Sequence, residues 1–487
     1  MSHRILALAL VLAAASPLAA QIPQSEYADR RARLAEALPD GAFLSLGAPE
    51  PAADYLPFAQ ATRFRYLTGF TEPDAALLML KQGGRVTGTL FVLPNDPATE
   101  TWTGRRAGLA GAQRTTGLPT RPIEALEQVL DSLLTAGTPL AIALNLTESG
   151  DTLAHEQLFL QALTRGHTDA RIVEASAPVM RLRGTKSAAE QDLLRKAVAI
   201  TVTAQQEALR LVEPGMNEFE VQALIEYTFR RNGAERPGFA SIVGSGPNST
   251  ALHYSANDRF MQAGDLLVMD IGALYGGYSA DVTRTVPVSG TFTPEQRAIY
   301  QIVRDAQAAA ERQVKIGGQM RALSDSATAV MAAGLTRLGL IDGPRATYDC
   351  GREQQCPQLR LYYMHGLGHG IGLDVHDPDQ YEATGRIAAG SVFTIEPGLY
   401  VRENLLEILP DTPGNRALAQ RIGGAVRAHA NIGVRIEDDY VITARGMERL
   451  STAPREIAEI EAAMRKPYAG GVVSAGWRRP ALRAIPT

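Results

Sequence analysis

Four short words in the second half of this 487-residue chain carry acidic groups that an ordinary interior could not keep charged. They are DIGALYGGYSAD with Asp270 and Asp281, HGLGHGIGLDVHD with His369, FTIEPGLY with Glu396, and GVRIEDD with Glu437. Carboxylates gathered at one buried site repel and lose their charge unless cations balance them. Four carboxylates match two divalent ions, so the pattern predicts a dinuclear metal site with Asp270, Asp281, His369, Glu396 and Glu437 as its ligands.

Asp270 and Asp281 flank Leu274-Tyr275-Gly276-Gly277, a turn sequence in which glycine supplies positive φ. Folding about Tyr275-Gly276 is expected to set the two aspartates directly opposite each other. Cross-strand Cβ atoms lie about 5 Å apart, and like charges so placed destabilise a sheet unless something bridges them. The histidine word differs in kind. Four glycines between His365 and Leu373 defeat a helix, so His365 and His369 are not a helical i,i+4 metal pair, and an irregular loop is expected. Glu396 ends a strand-like run before Pro397-Gly398, while Glu437 alternates with Arg435 and Asp439 along another.

Composition bounds the rest. A net charge of −4 with interspersed signs gives no electrostatic footprint for nucleic acid. Residues 1–20 have a basic start, an apolar run over Ile5–Ala15 and small residues before Gln21, the grammar of a secretory signal peptide. That run is shorter than the ~20 residues a membrane span needs, so an exported protein, periplasmic or secreted, is expected, with no stable membrane anchor after cleavage. The two cysteines, Cys350 and Cys356, are expected to close a small disulfide loop in such a compartment.

Residues 21–180 alternate helical and strand-like segments: a helix over Ala28–Ala37 and strands at Ala75–Leu80, Gly88–Leu93 and Leu140–Leu146, an α/β domain. The basic stretch VMRLRGTK over Val179–Lys186 marks the boundary. Residues 181–465 form a second domain of α+β type, with helices over Ser187–Leu211, Glu218–Arg231, Pro294–Val314 and Met320–Leu338. Its strands are expected at Leu266–Ile271, Tyr278–Val286, Ser391–Glu396 and Val434–Ile442, in a curved and largely antiparallel sheet. Arg402–Asn431 is read as an insertion with a helix over Arg416–His429, and 466–487 as an irregular tail.

The words DIG…YSADVTRT, HGLGHGIGLDVHD, TIEPGLY and GVRIEDD, in that order, resemble those of the Xaa-Pro aminopeptidases (aminopeptidase P) and their prolidase relatives. FRYLTGFTEPDAALLML and TWTGRRAG extend the resemblance into the first domain. It implies a pita-bread catalytic domain behind a creatinase/aminopeptidase P-type amino-terminal α/β domain. Methionine aminopeptidase normally lacks that first domain, and creatinase does not keep the metal ligands. The resemblance implies two metal ions, manganese first with zinc or cobalt as substitutes, and Asp281 and Glu437 as shared ligands. By the same likeness His253 in ALHYSAN lies near the substrate carbonyl, His365 lines the proline pocket and His376 contacts substrate or the tetrahedral intermediate. Tyr400 and Arg435 join them as substrate-binding residues. The family pattern is broken at HDPDQY after His376, at Thr62 before Phe64 and at Arg402–Asn431.

The expected activity is release of the first residue from peptides with proline second. Proline's nitrogen carries no N–H and its ring fixes φ, which explains a dedicated pocket. Glu396 is the expected proton acceptor and donor, with His253 and His376 as oxyanion donors. A prolidase acting on Xaa-Pro dipeptides is the alternative, and a non-catalytic peptide-binding relative a more remote one. A homo-oligomer is implied by resemblance, with the Trp102 segment a candidate for shaping a neighbour's site.

Overall fold

A computed structural model describes residues 22–53, 56–144, 155–352, 354–466 and 468. The expected leader over 1–20 and nearly all of the tail lie outside the described residues. The first domain is a six-stranded sheet in the order Thr120–Pro122, Arg85–Val92, Ala76–Gln82, Gly41–Leu46, Leu140–Ile142, Ile172–Glu174. Its central pairings are antiparallel and its flanking ones parallel. Strand side chains alternate between faces, and the apolar partners follow. Phe43 joins Leu34, Phe64 and Leu67 under the helices Gln24–Ala37 and Thr62–Thr68. Ala42, Leu44 and Leu46 pack on the other face against Leu126, Leu130 and Leu134 of the helix Leu126–Thr135. The helix expected over Ala28–Ala37 starts one turn earlier, and the strand expected over Leu140–Leu146 ends at Ile142, with positions 145 and 146 outside the described residues.

Three of the expected helices in the second domain begin at capping boxes: Ser187 with Glu190, Asn217 with Glu220, and Thr293 with Gln296. Each pair satisfies two backbone N–H groups that the first helical turn leaves free, which pins where the helix starts. The helices run over Ala188–Leu211, Glu218–Arg231 and Pro294–Glu311, with a fourth over Met320–Arg337. They cover antiparallel ladders: Ile242–Ser245 with Leu266–Ile271 with Val282–Pro287, Gly398–Val401 with Ile432–Arg435, and Val392–Ile395 with Asp438–Thr443. The core lies between sheet and helices and includes Ile299, Val303, Met269, Phe393 and Val434.

Two strands differ from expectation. The run expected over Tyr278–Val286 is broken at Ala280-Asp281, and the run over Val434–Ile442 at Ile436-Glu437. At each break the chain changes partners, so an acidic residue that sequence places mid-strand sits where two ladders meet. The region read as an insertion is also built in. Its helix runs over Pro413–Ala428, and Leu418, Ile422 and Val426 are buried in the domain core. Asn415 ties it to the backbone of Asp349 in the hairpin that Cys350–Cys356 closes, whose sulfurs are bonded with Cα atoms 5.7 Å apart.

The domains share one apolar cluster. Leu193, Leu194, Tyr278, Ile371, Leu373, Val392 and Val441 of the second domain pack with Phe64, Leu67, Phe70 and Val179. The boundary stretch is more ordered than sequence suggests: a helix over Ser176–Arg183 runs nearly to the cap at Ser187.

Candidate metal centre

The hairpin that carries both aspartates turns at Gly276-Gly277, each with positive φ, and not at Tyr275-Gly276. A two-residue turn of that hand matches the twist of the strands, and two glycines meet its demand without strain. The shift moves the register by two residues. Asp270 therefore stands opposite Thr283, not Asp281, which lies two residues before that partner and just outside the ladder. The expectation of directly facing aspartates is corrected: Asp270 is within the ladder and Asp281 is at its end.

His369 arrives from the glycine-rich loop, which is irregular as expected. Gly368 and Gly370 have a physical reason to be glycine: a Cβ would lie 2.0 Å from the Thr394 carbonyl oxygen and 2.2 Å from that of Asp377. The loop thus presses its backbone onto the strand Val392–Ile395 that leads to Glu396, and the Thr394 N–H donates to the His369 carbonyl. His369 Nδ1 bonds the Gly370 carbonyl at 3.1 Å, which makes Nδ1 the protonated nitrogen. Nε2 is left with its lone pair facing Asp281 Oδ2 and Glu396 Oε1, each 3.5 Å away.

Asp281, His369 and Glu437 each offer one ligand atom within 4.8 Å of the others. Asp270 and Glu396 line the same cavity of about 550 Å³, together with His253, His365, His376 and Arg435. Tyr400 is wholly buried behind His365. Asp270 is 8% exposed and Glu437 1%. Burial, and then the neighbouring Glu437, pushes the Asp281 and Glu396 carboxyls well above the usual range. Burial and then Asp270 raise Glu437 to about 8. Burial holds both His365 and His369 down at about 4, so neither imidazole is charged at neutral pH and their contacts with the acids are not ion pairs.

Whether this set suits cations is answered by its unmet bonding capacity. Asp270 Oδ1, Asp281 Oδ1 and Glu437 Oε1 are buried with no hydrogen-bond donor. An interior carboxylate oxygen left bare costs about 1–3 kcal/mol or more. Three such oxygens and an unprotonated imidazole nitrogen around one space form an oxygen-rich donor set of the kind hard divalent ions take.

A second layer holds these groups. Arg435 Nη2 donates to Asp270 Oδ2 at 2.5 Å and Nη1 to the Tyr400 hydroxyl at 2.8 Å, and that hydroxyl lies 2.8 Å from His365 Nε2. His365 Nδ1 is turned to the Gly366 carbonyl, so Nε2 accepts from Tyr400, and a relay of donors runs from guanidinium to phenol to imidazole. Sequence reading missed three members. Thr283 donates to Glu437 Oε2 at 2.6 Å, Thr394 lies between His369 N and Glu396, and buried Asp439 accepts the Asp281 N–H at 3.1 Å. Their signal was strand alternation: Thr283 follows Asp281 by two residues, Thr394 precedes Glu396 by two, and Asp439 follows Glu437 by two.

Comparison with known proteins agrees with this architecture. Residues 27–141 match the family model described as the aminopeptidase P N-terminal domain, and residues 192–444 that of metallopeptidase family M24. The Xaa-Pro aminopeptidase of Haemophilus influenzae is 35% identical over 450 residues, covering 91% of this chain and 97% of its own. That of Escherichia coli is 33% identical over 463 residues, covering 92% and 99%. The solved E. coli aminopeptidase P with the inhibitor Pro-Leu superposes with a TM-score of 0.77 at 31% identity, over 91% of this chain and 98% of that one. Pseudomonas aeruginosa aminopeptidase PepP gives the same TM-score and identity over 92% and 99%. A metallopeptidase fold with its amino-terminal partner domain and full-length likeness of this extent leave one assignment: the chain is a hydrolase of the aminopeptidase P family, metallopeptidase family M24.

Proposed function

We propose that the protein is an Xaa-Pro aminopeptidase, removing the first residue of peptides whose second residue is proline. The observation that carries this reading is the placement, in one cleft, of four carboxylates and His369 beside the Arg435, Tyr400 and His365 relay. Asp270, Asp281, His369, Glu396 and Glu437 are proposed to hold two divalent ions, manganese by preference. Bound there, such ions polarise a carbonyl and lower the pKa of a water.

The chain's own groups do the rest. Glu396, which lines the cavity beside His369, accepts the water's proton and delivers it to the leaving proline nitrogen, which must be protonated to depart. His253 and His376 line the cavity while exposed to solvent, where each donates to the oxygen of the tetrahedral intermediate. His365, held by Tyr400, and the apolar Phe239, Ile242, Leu252 and Val375 give the cavity walls suited to a proline ring. Proline-containing peptides are the proposed substrates; the cleft opens to solvent, and the relatives that span this chain end to end carry the aminopeptidase name. An exported, periplasmic or secreted enzyme accords with the leader grammar and with the Cys350–Cys356 bond, and self-association is proposed by resemblance alone. Among the described residues no helix is long and apolar enough to cross a membrane.

Replacing Asp281 or Glu437 by Ala in manganese buffer should abolish hydrolysis of an Xaa-Pro peptide; retained turnover sinks the dinuclear assignment. Comparing Xaa-Pro with Xaa-Pro-Xaa′ separates an aminopeptidase from a prolidase, and metal analysis excludes a non-catalytic binder.

A further inference from the structure

The basic stretch between the domains has no part in the chemistry above, yet its guanidinium reaches the histidine loop. Arg183 is 1% exposed. Its Nη2 bonds Asp374 Oδ2 at 2.7 Å and also Asp377 Oδ1, two carboxylates that bracket Val375-His376. Lys186 adds a contact of 3.1 Å to Asp377 Oδ2 and donates to the Pro378 carbonyl at 2.7 Å. Thr62, from the first domain, donates to Asp374 Oδ2 at 3.1 Å and receives Arg183 Nη1 at 3.2 Å. Asp377 Oδ1 also caps the Asp374 N–H, closing the loop on itself. His376 needs such support. Among the described residues its ring packs on His369, centroids 4.2 Å apart, and makes no hydrogen bond. Its place therefore depends on the backbone on either side.

We infer that Arg183 is a positioning residue for the peptidase reaction, clamping both flanks of His376 so that the seating of the amino-terminal domain sets where that imidazole points. A planar guanidinium whose Nη2 reaches both carboxylates while its Nη1 reaches Thr62 is held in angle as well as distance, which a single ammonium would not be. The inference rests on the proposed role of His376, and its test distinguishes the two. The half-exposed partner is the variant of choice, because removing Arg183 itself leaves two acids unpaired and endangers folding.

Asp374→Asn, His376→Ala and the double variant are compared in kcat and KM on an Xaa-Pro-Xaa′ peptide, with metal content and Tm alongside. Asp374→Asn is expected to lower kcat about 10-fold with metal content intact and KM little changed, and to add nothing in the His376→Ala background, since groups acting through one residue are not additive. Asp374→Glu is expected to recover part of the lost kcat. Full kcat with only a lowered Tm overturns the positioning role, as does a loss of the same size with and without His376. Unchanged turnover in His376→Ala alone overturns the proposed role of His376 and this inference with it.

Discussion

Loading metal-free protein with manganese should expel protons, in a number the structure sets. With burial and Asp270 holding Glu437 at about 8, its carboxyl is protonated in roughly ten of eleven molecules at pH 7. Cation binding requires the carboxylate, so this residue alone gives up about 0.9 proton at pH 7 and about 0.1 at pH 9. Asp281 and Glu396 are raised in the same direction, so release at pH 7 should lie between about one and three protons per chain and fall as pH rises. Apparent affinity should strengthen over the same range. Titration calorimetry in two buffers of different ionisation enthalpy measures the count directly. A release below roughly 0.3 at pH 7, or one that does not change by pH 9, refutes the claim that protons replace cations in this interior.

Stability of the metal-free protein should run the opposite way to that of most acid-rich proteins. Glu437 has a folded pKa above its ordinary 4.5, so its stabilising contribution is complete below about 4.5 and is lost as pH rises through about 8. Fully buried, the group corresponds to at most about 5 kcal/mol at 1.36 kcal/mol per unit, and Tm measured with a chelator should fall between pH 5 and 8 but stay level with manganese bound. Tyr400→Phe removes the donor to His365 and the acceptor of Arg435. Steady-state assays should show kcat/KM on Xaa-Pro peptides lowered about 10-fold, and an unchanged value would show that the relay is not needed. Reduction of Cys350–Cys356 opens a loop of only six residues' separation, worth about 2 kcal/mol. Calorimetry with and without reductant should therefore show a lower Tm while turnover survives.

Much of this was legible in the chain because its signals are local. Ser187, Asn217 and Thr293 stand in the sequence where the three helices are capped, so the helix starts were legible to within a residue, and the glycine spacing of the histidine word excluded a helix at once. The five proposed ligands stand out by the composition of short words, and all of them line one cavity. What escaped depends on distant partners. The hairpin register turned on which of two adjacent pairs adopts positive φ, a choice the flanking ladder decides. The strand breaks before Asp281 and Glu437 exist because each segment meets a second sheet 150 residues or so away, which no periodicity reveals. In sequence Arg183 is one of several basic residues in a boundary stretch, and only the fold brings Asp374 and Asp377 to it.

The two strand breaks also make the centre a fastening. The Asp281 N–H is taken by Asp439 and the Glu437 N–H by the Thr283 carbonyl, so separate ladders are stitched together at the very residues proposed to bind ions. Ions seated there tie segments far apart in the chain, and closing such long loops in the unfolded ensemble is where a cross-link stabilises most. The metals of this enzyme would then act as rivets as well as reagents, and stripping them should let the sheets part at their seam before the helices melt.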